Sequence, residues 1–268
     1  MLVEQLHEAL DGFSAAVEPL VGPAWREVPA FTLFFGAIFL VALALWRYAA
    51  GLERSKAAVL ASCCMSSVHG LLSALGGYEQ LLQWPGFKLD MPNTHPQKLL
   101  NEFSLAYMVA DFFFYLLPFD PTDYVFMVHH TLSAIYLVGC LLTGHGAISC
   151  ILMFFMGEVT SPVFNTFSIS KELRHHSKVA FKIFTYTSPL FTVLFVGVRS
   201  VIAPPIISWF IYTLWFRSTL IPFGWRVAMG SCVSLGMVAS QLWSFKLLRG
   251  YFKRRRQAAQ LAAAKKGA

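Results

Sequence analysis

The feature that most constrains this chain is a recurrence. Stretches of roughly 20 mostly apolar residues, each enough for one helical crossing of a hydrocarbon core about 30 Å thick, return along almost its whole length. By hydropathy they fall at 31–49, 57–82, 102–118, 123–143, 146–168, 179–203 and 226–248. A further apolar stretch, 206–221, is bracketed by Pro204-Pro205 and Pro222 and interrupted by Arg217. It is expected to be a kinked or re-entrant piece, with an eighth span as the alternative. Composition agrees: 56% of the 268 residues are hydrophobic and 13% charged, too apolar a balance for a soluble domain with one core. The expected fold is all-α, a polytopic membrane helix bundle of about seven spans.

Residues 1–28 read differently. Leu2, Leu6, Leu10 (or Ala9), Phe13, Val17 and Leu20 recur at helical spacing, with Glu4, Glu8, Asp11 and Glu18 between them. That pattern predicts a short amphipathic interfacial helix ending near Pro19 and Pro23. It lacks the basic start and apolar middle of a signal peptide, so an internal signal-anchor is expected to direct insertion. The first span then occupies 30–50, six further spans 51–250, and a basic tail 251–268.

The net charge of +7 would suggest nucleic acid in a soluble protein. Here the basic residues sit in loops and in the tail, so they report topology, and no nucleic-acid partner is expected. Arg47, Arg54 and Lys56 follow the first span, Lys171, Arg174, Lys178 and Lys182 the fifth, and Lys253 to Arg256 the last. An odd span count puts these clusters on one side, giving a cytosolic C-terminus and an external or lumenal N-terminal segment. The turn from Pro118 to Asp123 falls on the cytosolic side with only Asp120 and Asp123, and acidic residues count little in this rule. The five cysteines, Cys63, Cys64, Cys140, Cys150 and Cys232, lie inside apolar stretches without zinc or disulfide spacing and read as small buried side chains.

Ionisable groups inside a span cost a few kcal/mol and usually face the bundle interior, marking a pathway or site. Here they are Asp111, His129, His130, Glu158 and Arg199, with His69 and Asn165 as polar companions. Asp111, His129, His130 and Glu158 each lie roughly 6 to 10 residues, or about 9 to 15 Å, from the cytosolic ends of their spans. A common depth in three consecutive spans predicts one polar cluster, since a carboxylate there needs a partner or a proton. The alternative is a set of interhelical hydrogen bonds that only fixes packing. Successive helical residues point about 100° apart, so His129 and His130 cannot face one spot. One is expected to reach a pocket, the other to pair with Asp111 or Glu158.

His175-His176 belongs to Lys171–Lys178, a polar loop that reads as a solvated basic segment or as a landing site for anionic headgroups or a coenzyme A phosphate. Eight histidines at 7, 69, 95, 129, 130, 145, 175 and 176 do not make the boxes of a di-iron lipid enzyme, and no metal site is expected. No G-x-S-x-G elbow or phosphate-binding glycine loop is present. Seven spans also describe G-protein-coupled receptors, but the third span ends Phe112-Phe-Phe-Tyr-Leu-Leu-Pro-Phe119 and no Asn-Pro-x-x-Tyr closes the last.

Three motifs in consecutive spans carry a resemblance: Tyr107-x-x-x-Asp111, His129-His130-Thr131-Leu132 and Gly157-Glu158-x-x-Ser161-Pro162-x-x-Asn165. Together they resemble the TLC domain of translocating-chain-associated membrane proteins, ceramide synthases and a ceroid-lipofuscinosis protein. Trp243 to Gly250, before the basic tail, is similar to the family's closing helix, so the resemblance covers about residues 51–250. Ceramide synthases carry a His-Asp and a further Asp in the span after the paired histidines, where this chain has Glu158-Val-Thr-Ser-Pro162. The chain therefore resembles the small TLC-domain proteins tied to membrane lipid composition.

The resemblance implies a cavity enclosed by six helices, with membrane lipids as partners and no cofactor beyond acyl-CoA as a co-substrate. Two functions stay open. In the first, an acyltransferase, His129 or His130 is general base or nucleophile with Asp111 and Glu158 beside it, and His69, Asn165 and Arg199 support the site or bind lipid. In the second, a non-catalytic lipid regulator or cargo adaptor keeps the fold and binds an acyl chain. Lys265-Lys266, third and fourth from the end, resemble a dilysine retrieval signal for the endoplasmic reticulum, with attraction of a basic tail to anionic lipid as the alternative.

Overall fold

A computed structural model describes residues 2–84, 86, 88–121 and 124–267, with side chains except at 258, 259 and 261–267. Asp123 and the side chains of Lys265 and Lys266 fall outside the described residues. Among the described residues the chain is helical, with one isolated bridge between Pro92 and His145 in place of any strand. An N-terminal helix α1 (Leu2–Val21) precedes seven helices long and apolar enough to cross a membrane. These are α2 (Pro23–Ala49), α3 (Arg54–Leu82), α4 (His95–Phe119), α5 (Tyr124–Thr143), α6 (Ala147–Leu173) and α7 (Lys178–Arg217). The last, α8, runs over Phe223–Gly267, with its spanning part at Phe223–Gln257.

Six of the seven close into a ring. α3 packs on α4, α4 on α5, α5 on α8, α8 on α7, α7 on α6, and α6 returns to α3. α2 stands outside the ring against α3 and α4. Its Phe31, Phe35 and Phe39, one helical turn apart, are fully buried with Phe103 of α4 and Met65 of α3. Phe31 and Phe35 meet Phe103 ring to ring at 5.3 and 4.9 Å. This aromatic seam fills one side of the bundle and leaves the open space on the other, between α5, α6, α7 and α8.

The amphipathic N-terminal segment folds onto the bundle at the end opposite the basic loops. Ser14 Oγ donates to Glu27 Oε2 at 2.6 Å, and Arg26 reaches Asp11 at 2.5 Å and Glu18 at 3.1 Å. α1 ends at Val21, between Pro19 and Pro23 as expected. Pro19 sits in the last turn, where one lost amide bond can be borne.

The stretch expected to be kinked or re-entrant is instead largely a continuation of the sixth span. α7 runs 40 residues without leaving the helix, and only the residues just after Arg217 turn toward α8. The prolines are accommodated by a wide turn over Gly197–Ile202, in which the amide of Ala203 donates five residues back to Val198 O. Pro204 has no amide to continue that register, so the carbonyl of Arg199 is freed. Gln241 Nε2 of α8 donates to it at 2.8 Å. Similar wide turns occur at Leu45–Ala49, Phe112–Leu116 and Thr213–Arg217. α6 breaks at Val159-Thr160 and restarts at Ser161-Pro162, with Thr160 Oγ1 donating to Gly157 O at 2.8 Å.

Candidate functional site

Four polar residues of α3 lie on one face. Ser62, Ser66, His69 and Ser73 follow the four, three, four spacing of a helical stripe and point into the ring. Ser62 Oγ donates to Asp111 Oδ1 of α4 at 2.8 Å. Ser66 Oγ accepts from Asn165 Nδ2 of α6 at 3.2 Å. His69 is wholly enclosed: its ring stacks on Tyr107 at 4.1 Å and 9°, and its Nε2 faces Ser104 Oγ at 3.2 Å. Its Nδ1 looks across to Glu158 Oε1 at 3.7 Å.

The two adjacent histidines of α5 separate, as their 100° offset requires. His130 is buried, with Nε2 3.3 Å from Asp111 Oδ2 and its ring 5.8 Å from Tyr107. Ser62, Asp111 and His130 thus form a chain across α3, α4 and α5. His129 stands perpendicular to His130, ring centroids 5.8 Å apart, and lines open space.

That space comprises two cavities. The larger, about 390 Å³, opens toward the basic end of the bundle. Its walls carry Phe126, Phe164, Phe167, Phe191, Phe195 and Trp243, and its mouth has Lys246 and Arg254. The smaller, about 130 Å³, lies toward the opposite end among Leu132, Met153, Ile207 and Val233. His129, Glu158 and Arg199 line both and therefore stand where the two meet. The polar residues give that junction chemistry, while the aromatic walls suit an acyl chain.

Two glycines let the charged side chains lie against neighbouring helices. A Cβ on Gly70 would stand 2.7 Å from Glu158 Oε2, so the carboxylate rests on the α3 backbone. A Cβ on Gly157 would stand 2.9 Å from a terminal guanidinium nitrogen of Arg199, so that side chain rests on α6. Arg199 also reaches over Phe195, Cζ to centroid 5.6 Å.

The structure thus brings Asp111, His129, His130, Glu158, His69, Asn165 and Arg199 into one neighbourhood. It leaves His175-His176 apart: that loop is exposed, Arg174 Nε meets His175 Nε2 at 3.0 Å, and neither histidine lines either cavity. Sequence reasoning missed Ser62, Ser66, Gly70 and Gln241. The serine stripe of α3 was the available signal, whereas Gln241 becomes meaningful only once the wide turn in α7 is known. Among the described residues the one trio with metal-ligating atoms gathered within 4.8 Å is His7, Asp11 and Glu27, far from this site. Arg26 bonds Asp11 there and already supplies a cation.

The sequence profile of the TLC domain matches residues 60–249, which run from α3 to α8, the six helices of the ring. A TLC domain-containing protein of Arabidopsis thaliana is 25% identical over 239 residues, covering 86% of this chain and 91% of the plant protein. No solved structure gives a significant match.

Proposed function

Since this chain belongs to the TLC-domain family, we propose that its ring of six helices serves membrane lipid homeostasis by binding an acyl lipid in the larger cavity. The observation that carries this reading is the position of His129, half-buried and lining the polar floor of an aromatic-walled cavity while Asp111 holds its neighbour His130. In the catalytic form of the proposal, acyl-CoA enters past Lys246 and Arg254, and His129 takes the proton of an acceptor hydroxyl or amine as it attacks the thioester carbonyl. The thiolate then leaves with that proton. His130, fixed by Asp111, holds the α5 backbone and so the direction of His129.

The experiment is acyl transfer in membranes from labelled acyl-CoA, with lipid profiling of the same cells, for the wild type, His129→Ala and His130→Ala. Loss of product with His129→Ala is expected. Unchanged transfer and unchanged lipid profiles in both variants would reject the reading.

One observation favours the non-catalytic alternative, a lipid-binding regulator. Among the described residues no side chain hydrogen-bonds the ring of His129, whereas catalytic histidines are oriented by a partner. On that reading His129→Ala alters lipid binding while purified wild-type protein turns over no substrate. Residence in the endoplasmic reticulum is part of the proposal and rests on Lys265-Lys266. Replacing both with serine should release the protein to later compartments, and an unchanged distribution would count against the signal.

A further inference from the structure

Arg199 is left without a role by the reading above, and its surroundings are unusual. An arginine inside a membrane bundle normally pairs with a carboxylate or with backbone carbonyls. Here, among the described residues, no carboxylate lies within ion-pair distance of the guanidinium, and its buried Nε has no hydrogen-bond partner. The nearby acid, Glu158, attracts the guanidinium only from beyond ion-pair distance, while its Oε1 faces His69 and its Oε2 lies over Gly70, both on α3. Arg199 itself rests on Gly157 of α6 with its accessible atoms at the junction of the two cavities.

The charges around the larger cavity point the same way. Glu158 is the acid in its lining, against Arg199, Lys246 and Arg254. Asp111, outside that lining, is engaged by Ser62 and His130. A cavity with aromatic walls and an excess of basic groups suits an anion on an apolar chain. The anchor is also held in place, because Gln241 fixes the Arg199 carbonyl and Gly157 gives the guanidinium its seat.

We propose that Arg199 binds the carboxylate of a free fatty acid whose chain lies along the aromatic wall of the larger cavity. The planar guanidinium offers paired N–H donors that match two carboxylate oxygens, which a fatty alcohol or a methyl ester cannot reproduce. The proposal deepens the acyl-lipid reading and rests on it. It narrows the ligand from acyl lipids in general to the unesterified acid, placed within reach of His129.

The test uses the full chain purified in detergent, with radiolabelled palmitic acid as probe and hexadecanol and methyl palmitate as competitors. The expected result is that the acid binds about tenfold or more tightly than the alcohol. Arg199→Gln should bring the acid down to the level of the alcohol while alcohol binding persists, which also shows that the variant is folded. Lys246→Gln and Arg254→Gln should keep the preference for acid. Equal affinity of acid and alcohol in the wild type would overturn the assignment of a carboxylate while leaving the acyl-lipid reading standing. A preference that survives Arg199→Gln, or that disappears with the two mouth variants, would overturn the assignment to Arg199. Absence of binding by all three probes would reject the acyl-lipid reading itself, and this inference with it.

Discussion

Gly70 and Gly157 both make room for a charged side chain, yet their replacement by alanine should have opposite consequences. At Gly157 the atom in the way is the far end of a flexible arginine, 2.9 Å from the new Cβ. Withdrawing it by about half an ångström restores ordinary contact, at a rotamer cost of about 0.5–1.5 kcal/mol. Alanine returns about 0.5–1 kcal/mol in an α-helix, so the net change in stability should stay within about 1 kcal/mol of zero. At Gly70 the new Cβ meets Glu158 Oε2 at 2.7 Å and also Ser161 Cβ at 3.1 Å. Ser161 Cβ is fixed to its backbone, so α3 and α6 must separate, and overpacking of this kind costs about 1–3 kcal/mol. Thermal unfolding in detergent, read beside palmitate binding, distinguishes the two. Gly157→Ala should keep its unfolding temperature and lose affinity for the acid because Arg199 has moved, whereas Gly70→Ala should unfold earlier. If Gly157→Ala unfolds as early as Gly70→Ala and binds the acid like the wild type, Arg199 does not rest where the structure puts it.

The remaining expectations concern the supports of the site. His130→Ala leaves Asp111 with Ser62 alone and should cost about 1–3 kcal/mol, seen as a lower unfolding temperature, while His129→Ala, facing open space, should cost about 1 kcal/mol or less. Equal losses would contradict the division between a held histidine and a cavity-lining one. Gln241→Leu removes the donor to the freed Arg199 carbonyl and should destabilise by about 1 kcal/mol. It should also weaken the acid-over-alcohol preference, whereas an unaltered preference would show that the α8 contact does not position Arg199. Arg26→Ala cuts the contacts to Asp11 and Glu18 and should expose α1 to limited proteolysis without affecting ligand binding. Resistance equal to the wild type would mean that the apolar face of α1 alone holds it.

The helices and the axial positions of most of the polar groups could be read from hydropathy, because a membrane span must satisfy its own backbone and exclude charge. The motifs carrying Asp111, His129-His130 and Glu158 also pointed to one neighbourhood. Rotation about each helix and the distribution of partners were not legible. Spacing shows that His129 and His130 diverge, but deciding which meets Asp111 needs the packing of α5 on α4. The path of α7 was legible only in part: the prolines suggested a kinked or re-entrant piece, and the continuous helix excludes the re-entrant course. In the protein the wide turn absorbs the missing amides and the helix continues, which keeps Arg199 aligned with Gly157. The companions of the site were hidden for a related reason: serines and glycines within apolar helices carry little hydropathy signal, although Ser62 and Gly157 touch charged groups.

Three ionisable residues of the site, Glu158, Arg199 and Asp111, share a backbone setting that explains how an apolar bundle carries them. Glu158 ends the first half of α6, four residues before Pro162; Arg199 lies in the wide turn of α7, five residues before Pro204; Asp111 immediately precedes the wide turn of α4, seven residues before Pro118. In each case a proline removes an amide donor and the helix responds by breaking or widening. The response frees carbonyls, which a polar side chain from a neighbouring helix can satisfy, as Gln241 does for Arg199 O; at the break in α6 the amide and the hydroxyl of Thr160 both donate to Gly157 O. A lipid-facing break would leave such groups uncompensated, so these breaks are stable only toward a polar interior. The same condition decides where the charged side chains can be accommodated. The prolines, which in hydropathy only interrupt a span, therefore help to fix both the place and the orientation of the groups that meet between the two cavities.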